Sequence, residues 1–284
     1  MIEIKNKHTG SILARINVDT LAGADLRDMH LAEANLRGMD LSRAQLDNAN
    51  LFEADLREAN LSHGILWGSH LSQADLSNAN IRGARFSDGT HAGAAMLAHA
   101  TLWSADLTGA DLRQVDLREV NLAHANLSRT DLRRAVLQSA NLSHASLRNA
   151  LLIDANLREA DLSHADLRDT HLNEANLIRA NLSGADLGSG DDGHFAVLNR
   201  ANMESANLTG VRMRQAILVE ANLRNANLTD ADLAHAIISG TILRGANVRN
   251  ANFEGVELAT VTMDFANFSE ARNADIPTYK THLR

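Results

Sequence analysis

The 284-residue chain has no cysteine, a single proline (Pro277) and only 3% aromatic residues. Without cysteine there can be no disulfide, thiolate metal site, iron–sulfur cluster or cysteine nucleophile. That absence fits a reducing compartment, and the cytoplasm is the expected location. Rings this scarce exclude a conventional core, which normally buries many large aromatic side chains. Positive charge is also not in excess. A net charge of −8 argues against direct nucleic-acid binding through phosphates. The opening MIEIKNK carries no apolar signal stretch, and no apolar run approaches the length of a membrane span, so no membrane association is expected.

What the chain does have is a repeat. Leucines or their equivalents recur every five residues from Leu21 through Leu26, Leu31 and Leu36 to Phe86. A small residue sits two positions before most of them (Ala24, Ala34, Ala44), and Asp or Asn directly before (Asp25, Asn35, Asn50). The unit is Ala-(Asp/Asn)-Leu-x-x. A period of five matches neither the 3.6 of a helix nor the 2 of a strand. It works if the chain bends after each unit, turning leucine and alanine inward and the other three positions to water. Stacked turns then pair backbone to backbone at about 4.8 Å.

This unit closely resembles the pentapeptide-repeat family, over residues 21–271. The resemblance implies an all-β fold, a right-handed quadrilateral β-helix with four units per turn and leucines stacked in a dry interior. The expected organisation is an N-terminal β-hairpin cap over 1–20, one pentapeptide-repeat β-helix over 21–271, and a C-terminal tail over 272–284. The cap is read from Ile2 and Ile4, the turn-like Asn6–Gly10, and the alternation of Ile12, Ala14, Ile16 and Val18.

The register slips twice. Phe86 and Leu97 are 11 residues apart, as are Leu187 and Leu198. The intervening segments, 87–96 and 188–197, are rich in turn residues. If each slip is a one-residue bulge that leaves the square unshifted, both loops leave the same edge, five turns and about 24 Å apart. They are then either tolerated bulges or recognition elements, with Ser87, Asp88, Gly89 and His91 in the first and Gly188, Asp191, Asp192, His194 and Phe195 in the second. On the same face assignment Ile178, Val197, Ile217, Val219 and Ile237 form an outward apolar patch, suited to a partner or a homodimer. The most acidic face carries Asp25, Asp28, Asp47, Asp106, Asp166, Asp169 and Asp186, diluted by Arg27, Arg129, Arg148 and Arg168.

Chemistry is hard to find. The aspartates hold the repeat position, so no catalytic pair stands out. His124, His144 and His164 recur at intervals of 20, which reads as a solvated ladder before it reads as a metal site. GSGDDG (188–193) misses calcium-loop spacing, and no nucleophile–base arrangement is evident. The expectation is a non-catalytic protein without cofactor or metal.

Some bacterial members of the family imitate the shape and negative charge of DNA, occupy the DNA-binding saddle of DNA gyrase or topoisomerase IV, and protect it from quinolones and other poisons. By resemblance, DNA mimicry in antibiotic resistance or self-immunity is the specific expectation, and a general protein-interaction scaffold the alternative. Net charge and the two loops agree with mimicry. The nearly all-leucine interior, the lack of a strongly acidic face and the lack of a C-terminal dimer module do not.

Overall fold

The computed structural model describes residues 1–188 and 195–278. The chain forms two compact units, Met1–Leu142 and Ser143–Arg284.

In the first unit, strands β1 (Ile2–Asn6) and β2 (Ile12–Ile16) form an antiparallel hairpin with Ile2 opposite Ile16. Asn6 makes the turn possible: its Oδ1 accepts from the amides of His8 and Thr9, each at 2.9 Å. This Asx geometry substitutes for backbone bonds the turn cannot make. The other edge of β1 pairs antiparallel with the short β3 (Ala34–Asn35), Lys5 opposite Asn35. Ile4 is thereby fully buried. The hairpin thus occupies a coil edge that would otherwise present open backbone groups.

The rest of the unit is a solenoid. Single parallel bridges join residues 20 apart, as in Asp25 to Gln45, His30 to Asn50, Asn35 to Asp55 and Asp40 to Asn60. These four series are the four sides of each coil. The straight part of each side is so short that each bridge stands alone rather than in a long strand. Leucine and alanine point inward: Leu26, Leu31, Leu36, Leu46 and Ala49 are fully buried. Where a hydroxyl replaces alanine inside, it is satisfied. Ser69 Oγ donates to Leu66 O at 2.6 Å, and Thr130 Oγ1 to Leu127 O at 2.7 Å. An unbonded hydroxyl there would cost about 1–3 kcal/mol.

Most of the described corners are type II turns. The Ala24 amide donates to Leu21 O at 3.0 Å, and the residue between, Gly23, has φ +68. At most corners that left-handed position is not glycine: Glu53 has φ 55 and His63 φ 57. A side chain there costs roughly 1–2 kcal/mol. The corner amide offsets this by bonding the next coil, as Glu53 N does to Ser72 O at 3.1 Å.

The second unit repeats this plan. Ser146 bridges Asp166, Leu151 bridges His171, Asn156 bridges Asn176, and Asp161 bridges Asn181. Its inward threonines are satisfied likewise, Thr170 by Leu167 O at 2.6 Å and Thr241 by Leu218 O at 2.7 Å.

The slips differ from the expected one-residue bulges. In the first unit His70 bridges Met96, and in the second His171 bridges Val197, each a step of 26 instead of 20. Each slip is therefore a six-residue insertion at one corner, one whole unit plus one residue. The square does shift against a simple count of fives, and the inference that both loops leave one edge loses its premise.

Candidate partner-binding surfaces

The first insertion is built by its own polar side chains. Ser87 is buried, and its Oγ accepts from Gly89 N at 3.0 Å. Asp88 Oδ1 accepts from both the amide and the hydroxyl of Thr90, each at 2.7 Å. Those two Thr90 bonds hold the Asp88 carboxyl below its ordinary pKa. Gly93 N donates to Thr90 Oγ1 at 3.1 Å, and a Cβ on Gly93 would collide with the Asp88 carboxylate. Two bonds tie the loop to the coils: Gln114 Nε2 to Gly89 O at 2.7 Å, and Gly68 N to Gly93 O at 3.1 Å. His91 is exposed.

This loop walls one side of a half-open cleft of about 490 Å³. The floor is the outward column Met96, Asp116 and Val136, on three successive coils. Ala92, Ala94 and Ala95 contribute from the loop, and His91, Gln114 and Arg118 also line it. Met96 is 44% exposed although it occupies the position usually held by Asp or Asn. Arg118 grips Asp116 with Nε at 2.8 Å and Nη2 at 2.6 Å, and its amide adds a third bond. The fork holds Asp116 ionised, with its pKa lowered. The sequence reading did not assemble this cleft. Met96 and Val136, two apolar residues at the pre-leucine position, were the available signal, but the slip concealed that they share a column.

In the second insertion, Asp191, Asp192 and His194 lie outside the described residues. Gly188 is buried, with its amide 3.2 Å from Asp186 Oδ1, and Phe195 is half-buried. The corrected step rearranges the apolar patch. Val197, Ile217 and Ile237 do stack on consecutive coils, in the column that begins Leu151 and His171. Val219 follows Leu218 on that same side. Ile178 does not join them: it follows Leu177, whose side runs through the Asn176–Asn202 bridge. Ile237, at 49%, is the most exposed of the set.

The acidic face also divides. In the first unit Asp25, Asp28 and Asp47 share the side of Leu26 and Leu46, whereas Asp106 belongs to a different side, between Asn80 and Asn126. In the second unit Asp166, Asp169 and Asp186 do share one side. Much of this charge is countered. Wherever the chain reads Asp-Leu-Arg, the two outward side chains close a fork, at 2.6 Å for Arg27 on Asp25 and 2.6 Å for Arg168 on Asp166. Arg27 lowers the pKa of Asp25 to about 2. For Asp166 burial opposes ionisation, yet the Arg168 bonds prevail and its pKa is lowered. Asp186 pairs with Arg212 at 3.0 Å, and Asp106 with Arg82 at 3.0 Å. Asp47 is the exception: burial raises its pKa, and its Oδ1 is buried without a hydrogen bond.

Of the histidine ladder, His144 and His164 stack with ring centroids 5.0 Å apart and planes 15° apart. In the first unit the His124 ring meets the Trp103 ring edge-on at 6.3 Å. Arg85 lies over the Trp67 ring at 4.9 Å. Among the described residues, no three His, Asp or Glu side chains gather as a metal site. No helix among them is long and apolar enough to cross a membrane.

The coil architecture and its five-residue unit agree with comparison to known families. Eight copies of the pentapeptide-repeat model match, over residues 21–57, 54–90, 95–134, 116–154, 155–188, 206–245 and 243–272. The chain belongs to the pentapeptide-repeat family. No curated protein matches it in sequence. Among solved structures it is similar to HetL, a pentapeptide repeat protein involved in heterocyst differentiation regulation from the cyanobacterium Nostoc sp. strain PCC 7120. That match has 31% identity over 83% of this chain and 91% of HetL, with a TM-score of 0.29. It is also similar to QnrB1, a plasmid-mediated fluoroquinolone resistance protein, at 15% identity over 72% of this chain and 89% of QnrB1, with a TM-score of 0.30. A pentapeptide repeat protein of the Arabidopsis thaliana thylakoid lumen matches at 21% identity over 51% of this chain and 68% of its own, with a TM-score of 0.25. TM-scores this low carry no assignment of role.

Proposed function

We propose that this pentapeptide-repeat protein is a non-catalytic scaffold of the cytoplasm that binds another protein. Its winding is read as the right-handed quadrilateral β-helix of its family. The observation that carries the reading is the replacement of outward Asp and Asn by apolar residues in a minority of units. Ile65, Met96 and Val136 do this in the first unit, and Leu151, Val197, Ile217, Ile237 and Ile242 in the second, where Val197, Ile217 and Ile237 stack on consecutive coils. Many outward polar side chains elsewhere are engaged with one another, as in the Asp–Arg forks and the amide ladders. Apolar side chains left facing water in a solenoid suit recognition better than they suit chemistry. Purified protein carrying Ile217→Asp and Ile237→Asp is expected to lose a partner, or a homodimer, that cross-linking detects with the unmodified chain. Retention of every cross-linked species would reject the patch.

A narrower reading is that the partner is DNA gyrase or topoisomerase IV, bound by DNA mimicry so as to protect it from poisons. The net charge of −8 supports it. The arginine forks weigh against a strong negative field, so mimicry would fall to acids bonded to amides instead, such as Asp28 and Asp40. A supercoiling assay with a quinolone tests it. Relief of inhibition at micromolar protein is the expected result, and neither protection nor gyrase binding would reject it.

A further inference from the structure

We infer that the cleft beside the first insertion is a docking site for a protein segment that presents a bulky apolar side chain next to a carboxylate. The inference rests on the scaffold reading and names the chemistry of one partner element.

The cleft's shape and lining favour an apolar anchor. Met96 stands 44% exposed at one end of the floor. Val136 stands two coils further on, and Ala92 and Ala94 form the facing wall. The volume of about 490 Å³ lies in the range of sites that take ligands, and it exceeds what one apolar side chain needs. The cleft is also held open in advance. The loop's bonds through Ser87, Asp88 and Thr90, together with the Gln114 tie to Gly89 O at 2.7 Å, fix its wall without a ligand. A partner therefore does not have to order the wall, which lowers the cost of binding.

The polar groups choose the neighbour of that anchor. The acidic group on the floor, Asp116, is already taken by three donors of Arg118. Arg118 Nη1 makes no hydrogen bond among the described residues, and neither does the exposed His91 imidazole. Both can donate. A carboxylate beside the apolar anchor would accept from them, whereas a guanidinium or ammonium would lie against the Arg118 guanidinium and the Asp116 carboxylate that Arg118 already engages.

The test uses the full chain and fluorescein-labelled peptides with a central phenylalanine. One peptide has flanking aspartates, one has flanking lysines, and one has serine in place of phenylalanine. Fluorescence polarisation should show saturable binding of the aspartate peptide and binding about tenfold weaker or less for the other two. Met96→Glu and Arg118→Gln should each weaken the aspartate peptide by about tenfold. Both positions are outward, and unchanged circular dichroism will confirm that the coil persists. Equal binding of the lysine or serine peptide would overturn the proposal, as would indifference to Met96→Glu. Hexanoate binding as tightly as the peptide would overturn it in favour of a small molecule. If the cleft fails while cross-linking still captures a partner lost on Ile217→Asp, the scaffold reading stands without this site. If no partner is captured either, both fall.

Discussion

The imidazole of His164 lies against Gly184 of the next coil, so near that a Cβ on Gly184 would stand 2.6 Å from its Nδ1. His144 stacks against the same ring with centroids 5.0 Å apart, so the exposed His164 ring can yield only by leaving that stack and swinging toward solvent. Gly184 also has φ +65. The same arrangement recurs at His63 with Gly83 and at His235 with Gly255.

Gly184→Ala is therefore expected to destabilise the protein by about 1–3 kcal/mol, combining the left-handed backbone penalty with the clash. In a His164→Ala background the clash vanishes and only the backbone penalty remains. Urea unfolding of the four-member cycle checks it, and equal costs in both backgrounds would show that the ring is not the obstacle.

Asn181 links two coils. Its Nδ2 donates to Asp161 Oδ1 at 3.0 Å, and its Oδ1 accepts from Asn207 Nδ2 at 2.9 Å. Asn181→Asp would lose the first bond and set two carboxylates one coil apart. The repulsion alone is about 1 kcal/mol in water. A lower melting temperature at low salt, partly restored at high salt, is the expected outcome.

Asp25, Asp55 and Asp116 have lowered pKa values because Arg27, Arg57 and Arg118 bond their carboxylates. A depressed folded-state pKa gives stability that is present above the unfolded value near 3.9 and is lost as pH falls through the folded one. The melting temperature should hold at neutral pH and drop below about pH 4. Asp55→Asn should make the drop shallower, which thermal melts across acid pH will show.

Asp47 runs the other way. Burial raises its pKa, so its ionised form weakens the fold and protonation as pH falls relieves this. Asp47→Asn is expected to raise the melting temperature at pH 7 and to lessen the gain on mild acidification. A lowered melting temperature at pH 7 would show that Arg27 compensates the charge more than burial penalises it.

Much of this was legible in the residues. A leucine every fifth position, with a small residue two before it, admits few arrangements that bury both, and Leu26, Leu31 and Leu36 are indeed fully buried. Amide ladders could also be anticipated, because Asn and Asp alternate at a fixed position. The members of each surface patch could not. Ile178 and Val197 were grouped by counting in fives, and the count fails wherever a corner swells.

The linear order of residues thus decided what faces inward, since burial of aliphatic side chains is set by local periodicity and repeats identically in every unit. The folded chain alone decided what stands beside what outside. Whether an insertion consumes one residue or six depends on where the backbone regains a bridge to the coil below. At Met96 that happens opposite His70, and at Val197 opposite His171. Those two bridges between residues 26 apart, made by Met96 N to Ser69 O and Leu71 N to Met96 O in the first unit and by Val197 N to Thr170 O and Leu172 N to Val197 O in the second, fix every column that follows within each unit. They place Met96 in line with Val136 and separate Ile178 from Ile217.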